Sequence, residues 1–305
     1  MYKENRSSRS EFVPIRGLSY HVQHWGGPAN PALPPLVLVH GWMDVAASWQ
    51  FMVDALPDAF AQGRTIIAPD WRGFGLTCTA EADHFWFADY LADLDFLLDH
   101  YAPGQAIDLV GHSMGGNVAM LYAGVRPARI RKLVNLEGFG MPASQPSQAP
   151  ARYAQWMDEL KSLQRGELDL KTYNDVDGVA RRLMKTNPRL PADKAQWLAG
   201  HWARPNASGK WQILGAPAHK ITSAQLYRLD EVLEIYQRIS APVLAIEASD
   251  DSMGLWWKGR YSLDEYHERL KQIPDARVAV VQDAGHMLHH DQPGPLARLI
   301  ADFLD

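Results

Sequence analysis

The chain has 305 residues, 47% of them hydrophobic and 21% charged, with a formal net charge of −5. That is enough apolar material for a sizeable core and too little charge for disorder. The charges form no long run of one sign, which leaves no electrostatic footprint for nucleic acid or an anionic membrane surface. No stretch approaches the roughly 20 continuous apolar residues of a membrane span. The polar start MYKENRSSRSE has no signal-peptide core behind it, so a cytoplasmic protein handling a small, largely neutral molecule is expected.

Along the chain, 12–16 and 18–25 are separated only by Gly17 and read as an antiparallel hairpin at a sheet edge. Short runs of branched apolar residues then recur at 36–39, 65–68, 107–110, 132–136, 243–246 and 277–281, and these read as buried strands. Helical periods lie between or after them at 82–100, 113–125, 262–273 and 295–304. Alternation of strand and helix predicts a mostly parallel sheet covered on both faces. The stretch 141–240 breaks this alternation, shows no convincing strand and opens with a Pro- and Ser-rich loop, so it reads as a helical insertion. Its aromatic load includes Trp156, Trp197, Trp202 and Trp211. Most such rings pack an insertion onto its core, while one or two are candidates to line an apolar substrate pocket at the domain interface.

Chemistry appears after the third internal strand, at Val110-Gly111-His112-Ser113-Met114-Gly115-Gly116. Gly-x-Ser-x-Gly between a strand and a helix is a nucleophile elbow. The serine sits on a sharp turn that tolerates no side chain at the flanking glycines, and the helix N-terminus favours developing negative charge. His286, behind the strand 277–281 and Ala284-Gly285, stands where a loop at the carboxyl end of the sheet presents a general base. The cluster His286, His289, His290 and Asp291 lacks metal spacing along the chain, and no metal or other cofactor is expected. The single cysteine, Cys78, has no base beside it in sequence and is read as non-catalytic.

With these residues in order, the chain resembles the α/β-hydrolase superfamily over nearly its whole length. His40-Gly41-Trp42-Met43-Asp44 is similar to the family's His-Gly oxyanion motif, Asp70-Trp71-Arg72-Gly73-Phe74-Gly75 to its Asp-x-Arg-Gly-x-Gly loop, and Gly285-His286 to its catalytic histidine motif. The insertion, with Asn-Pro-Arg-Leu-Pro-Ala-Asp-Lys-Ala, looks most like the serine-hydrolase-like branch. The resemblance implies an α/β-hydrolase fold: a mostly parallel eight-stranded sheet with helices on both faces, a core at 1–140 and 241–305, and a helical lid at 141–240. It also implies an oxyanion hole made by the main-chain N–H groups of Trp42 and Met114; His40 and His112 read as structural rather than proton carriers, and Arg72 as tying the Asp70 loop to its neighbours, with a substrate contact left open.

For the triad acid, Pro242-Val243-Leu244-Ala245-Ile246-Glu247-Ala248-Ser249-Asp250-Asp251 resembles the family's strand and acid turn and points to Asp251, although Ala248 replaces the usual glycine. Glu137, in Leu136-Glu137-Gly138 at the end of the preceding strand, is the alternative, since some relatives place their acid there. The implied reaction is cleavage of an ester or related small acyl substrate through an acyl-enzyme on Ser113. Carbon–carbon bond hydrolysis and cofactor-free peroxidase chemistry use the same triad and stay open, as does a non-catalytic ligand-binding role. Substrate identity and oligomeric state are not specified by the sequence.

Overall fold

The computed structural model describes residues 2–27, 29–77, 79 and 82–305; Cys78 lies outside them. In chain order, β1 (Ser8–Ile15) and β2 (Leu18–Trp25) form the expected hairpin, followed by β3 (Leu36–Val39), α1 (Gln50–Ala55), α2 (Asp58–Ala61) and β4 (Ile66–Pro69). Next come α3 (Phe87–Tyr101), β5 (Ile107–His112), α4 (Met114–Val125) and β6 (Ile130–Leu136). The insertion holds α5 (Ala149–Gln164), β7 (Thr172–Tyr173), α6 (Val176–Thr186), α7 (Ala192–Trp202), β8 (Ala203–Pro205), β9 (Trp211–Ile213) and α8 (Leu229–Tyr236). The chain closes with β10 (Val243–Ala248), α9 (Ser252–Trp257), α10 (Leu263–Leu270), β11 (Ala276–Val281), α11 (Leu288–Asp291) and α12 (Pro293–Leu304).

Eight strands make one sheet in the order β1-β2-β4-β3-β5-β6-β10-β11. Only the β1/β2 and β2/β4 pairs are antiparallel. The other pairs are parallel, as helical crossovers require. The central strands carry apolar residues on both sides because both faces are covered: Val37, Val39 and Leu109 pack into one cluster with α3 and α4, while Leu36, Leu38 and Val110 pack into another with α1 and α12.

Two sequence expectations are revised. The sequence predicts a buried strand at 277–281, but β11 is the edge of the sheet, and Val278 and Val280 are nearly half exposed. The insertion was read without strands, yet β7, β9 and β8 form a small antiparallel sheet. These strands are two or three residues long, too short to show an alternating period.

Four loops at the carboxyl ends of the parallel strands carry backbone strain. Six non-glycine residues among those described have positive φ. Four of the six, Met43, Ser113, Glu137 and Asp283, follow β3, β5, β6 and β11. Such conformations cost of order 1–3 kcal/mol each and persist where the surroundings over-determine them, which singles out this end of the sheet.

Candidate active site

Ser113 links β5 to α4 with φ 53° and ψ −115°. Its N–H donates to the Leu136 carbonyl (2.8 Å) and its own carbonyl accepts from Asn117 N–H (3.0 Å), so both sides of the peptide are pinned. A Cβ on Gly111 would stand 2.4 Å from the Gly115 carbonyl oxygen, and one on Gly115 would stand 2.3 Å from that of Val39. The turn therefore closes only with glycine at both positions. Met114 is the first residue of α4, so its N–H has no carbonyl partner one turn earlier in the helix.

The loop after β3 lies directly against this turn, since a Cβ on Gly41 would be 3.1 Å from Ser113 Cβ. Trp42 follows, half exposed, with its indole N–H donating to the His219 carbonyl (3.3 Å). His40 is held behind the loop: Nδ1 donates to the Gly41 carbonyl (2.7 Å), and Nε2 accepts from Trp71 N–H (2.9 Å). Asp70 accepts from Ala46 N–H (2.6 Å) and Leu76 N–H (2.7 Å) and pairs with His21 (2.7 Å). Burial alone would raise its pKa, but these bonds hold it below the usual carboxylate value. Arg72 forks onto Asp93 with two 2.6 Å bonds, so it ties the loop to α3. The side chains of His40 and Arg72 are thus both bonded within the protein.

His286 follows β11 on a loop anchored from three sides. The His112 Nε2 atom bonds its carbonyl (2.8 Å), and Gly285 N–H donates to Asp291 (2.9 Å). Asp291 in turn accepts from the Asn187 side chain of the insertion (2.7 Å). Trp256 of α9 stands edge-on to the imidazole, with ring centroids 4.2 Å apart. The ring keeps about a fifth of its surface open, but burial nevertheless pushes its pKa down to about 3.

The carboxylate that meets this ring belongs to Glu137: Oε2 lies 3.3 Å from His286 Nδ1. Glu137 adopts φ 54° immediately after β6, with its N–H donating to the Ile246 carbonyl (3.1 Å). The turn is clamped by Asn135, whose side chain accepts from Gly138 N–H (3.1 Å) and donates to the Gly138 carbonyl (2.9 Å). Glu137 also accepts from Ala248 N–H (2.7 Å) and from the Ser252 hydroxyl. Burial raises its pKa to about 7, against the lowering effect of those two donors.

Asp251, the expected acid, is placed differently. It is the N-cap of α9, its carboxylate accepts from Gly254 N–H (2.7 Å), and it is exposed. Neighbouring Asp250 is paired with Arg189 of the insertion (2.7 Å). The turn after β10 thus spends its carboxylates on a helix cap and a surface ion pair, and the partner of His286 is the alternative acid, Glu137.

The four tryptophans of residues 141–240 are placed as follows. Trp197 donates to Glu4 (3.0 Å) and packs on Tyr2 and Phe51. With Trp202 and Trp211 it is packed against an apolar cluster that joins α6 and α7 to Val45, Ala47 and Phe51, and Trp202 also bonds Asp44. Trp156 donates to His84 (3.2 Å). The aromatic against the imidazole is instead Trp256, in Gly254-Leu255-Trp256-Trp257. An aromatic pair just past the acid turn was the available signal. A cavity of about 610 Å³ between the Asp70 loop and the insertion's small sheet is lined by residues such as Thr77, Arg204 and Gln212, and by none of Ser113, Glu137 and His286.

A sequence model of the family described as alpha/beta hydrolase fold matches residues 34–293. The chain is 24% identical to a serine hydrolase-like protein of Danio rerio, over 98% of this chain and 89% of the relative. It is 25% identical to the sn-1-specific diacylglycerol lipase ABHD11 of Xenopus tropicalis, over 94% and 82% respectively. A solved thioesterase domain from the curacin biosynthetic pathway superposes with a TM-score of 0.80 at 23% identity, covering 96% of this chain and 99% of that one.

Proposed function

The chain belongs to the α/β-hydrolase fold family, and from that premise we propose that it is a serine hydrolase that cleaves carboxylic esters or related acyl compounds with a Ser113-His286-Glu137 triad. The observation that carries this reading is the 3.3 Å approach of Glu137 Oε2 to His286 Nδ1 beside a serine held at positive φ. In this reading Ser113 Oγ attacks the acyl carbon while His286 Nε2 takes its proton, and Glu137 holds the Nδ1–H tautomer and stabilises the imidazolium. The tetrahedral oxyanion is received by the N–H groups of Trp42 and Met114, each such donor being typically worth about 2.7–4 kcal/mol. The proton passes to the leaving group, and water then releases the acyl group by the same route in reverse.

An acyl substrate is favoured by what borders the site. Trp256 covers one edge of the imidazole and Trp42 lies exposed next to Gly41, so the reacting carbonyl is approached across apolar surface. The lipase and thioesterase among the similar proteins act on acyl bonds by their names. The test is labelling with a fluorophosphonate together with a chain-length series of p-nitrophenyl esters. Ser113 is expected to carry the label, and Ser113→Ala to lose about a million-fold in turnover while staying folded. An unlabelled Ser113 would leave the chain a ligand-binding member of the fold. Labelling without ester turnover would move the reading to carbon–carbon bond or peroxide chemistry on the same triad.

A further inference from the structure

Behind the nucleophile turn lies a second constellation that the triad does not use. One ligating atom from each of Asp44, His112 and His289 lies within 4.8 Å of the others, and all three residues are at least nine-tenths buried. They come from the loop after β3, the end of β5 and α11. Their separation along the chain explains why no metal spacing is visible in the sequence.

The hydrogen bonds fix the tautomers. His112 Nε2 faces the His286 carbonyl at 2.8 Å. A carbonyl only accepts, so Nε2 carries the hydrogen and Nδ1 is a bare lone pair. That Nδ1 is buried without a partner among the described residues. Ser48 Oγ donates to Asp44 (2.8 Å) and meets both His289 Nε2 (3.0 Å) and His290 Nε2 (2.6 Å). Having given its one hydrogen to Asp44, the hydroxyl accepts from both rings, which leaves His289 Nδ1 a second bare, buried lone pair without a partner. Two unsatisfied acceptors are costly in a dry interior, and a Lewis acid would satisfy them; the His289 nitrogen that faces Asp44 at 3.9 Å is Nε2.

We propose that Asp44, His112 and His289 form a binding site for a divalent transition metal of the zinc type, separate from the triad. Two imidazoles and one carboxylate are a donor set suited to Zn²⁺ and poorly suited to Mg²⁺ or Ca²⁺, which take oxygen ligands. The surroundings match the second layer of such sites: His112 gives its other N–H to a backbone carbonyl, and Ser48 orients both Asp44 and His289. Tetrahedral ligands at about 2.0–2.1 Å from zinc stand roughly 3.4 Å apart, so no pair of the three need close by more than about 1.4 Å on binding. A Cβ on Gly41 would lie 3.0 Å from His112 Nδ1, so a side chain at 41 would crowd this nitrogen. Because His112 also holds the His286 carbonyl, occupancy bears directly on the loop of the proposed base.

Chelator-treated full-length protein titrated with Zn²⁺ by calorimetry, and with Co²⁺ by visible absorption, tests the site without reference to activity. The expected result is one saturable ion per chain, tetrahedral Co²⁺ bands, a raised Tm, and no comparable response to Mg²⁺. Asp44→Asn and His289→Gln should each weaken binding at least about tenfold, while His286→Gln leaves it unchanged. Circular dichroism checks that each variant is folded; if one is not, the other variant and the wild-type titration carry the test. Failure of the wild type to bind, binding indifferent to both substitutions, or binding lost in His286→Gln would overturn the proposal.

Discussion

The turns that end β6 and β10 both present carboxylates beside the histidine loop, and they use them in opposite ways. After β6, Glu137 is 3% exposed and twisted to positive φ; its oxygens collect a backbone N–H, a serine hydroxyl and the imidazole. After β10, Asp251 is exposed and turned back onto its own helix at Gly254, and Asp250 reaches out to Arg189. A dry carboxylate aimed at an imidazole stabilises charge that forms in its neighbour, whereas a wet one at a helix start stabilises only the helix. The proposed acid role therefore rests on desolvation and direction more than on position in a motif.

The strongest way to break this comparison is to neutralise each acid in turn. Glu137→Gln should lower ester turnover about ten-thousand-fold with the fold intact, because it presents the wrong partner to His286. Asp251→Asn, whose amide still caps α9, should cost less than about tenfold. Reversed magnitudes in parallel kinetic measurements would return the role to Asp251.

The pH profile sharpens the comparison. Burial holds His286 down at about 3 and lifts Glu137 to about 7, so the pair loses its last proton near the latter value. Activity needs a neutral imidazole facing an ionised carboxylate. It should therefore be half-maximal near pH 7, nearly full about a unit above it, and fall about tenfold per unit below it. Ser252→Ala, which deletes a donor to the Glu137 carboxylate, should move this limb upward, and Asp251→Asn, which removes a nearby like charge, should move it downward. A limb centred well below pH 6 in the wild type would contradict the assignment.

The smallest effect concerns the cap. Asp251→Ala removes the bond to Gly254 N–H and should cost about 1 kcal/mol, read as roughly 2–4 °C in Tm, while Asp251→Asn costs almost nothing. Equal Tm values for the two variants would show that the cap contributes nothing.

Most of the scaffold was legible in the sequence. Apolar strand runs, the glycines of the elbow and the order of the His40, Asp70, Ser113 and His286 motifs all depend on local backbone requirements that single positions reveal. The triad acid was legible only as two alternatives, because direction is set by Asn135 clamping the β6 turn and by Gly254 drawing Asp251 away, which are contacts between side chain and distant backbone. The placement of the tryptophans was hidden for a related reason. Composition shows that the insertion is aromatic, but only packing shows that Trp197 meets the N-terminal Tyr2 while Trp256 reaches the imidazole. The strands of the insertion were missed because two or three residues hold no period.

The chain of bonds from Asn187 through Asp291 to Gly285 makes the insertion a fastener of the loop that carries His286. Heat should loosen this fastening before it melts the eight-stranded sheet, because small peripheral units open at lower free energy than a central core. The protein should then fail as a tool before it fails as a fold, with hydrolysis fading at temperatures where far-UV circular dichroism is still native. For anyone grafting a foreign lid onto this core, an amide donor at position 187 is a part to be carried across with the graft.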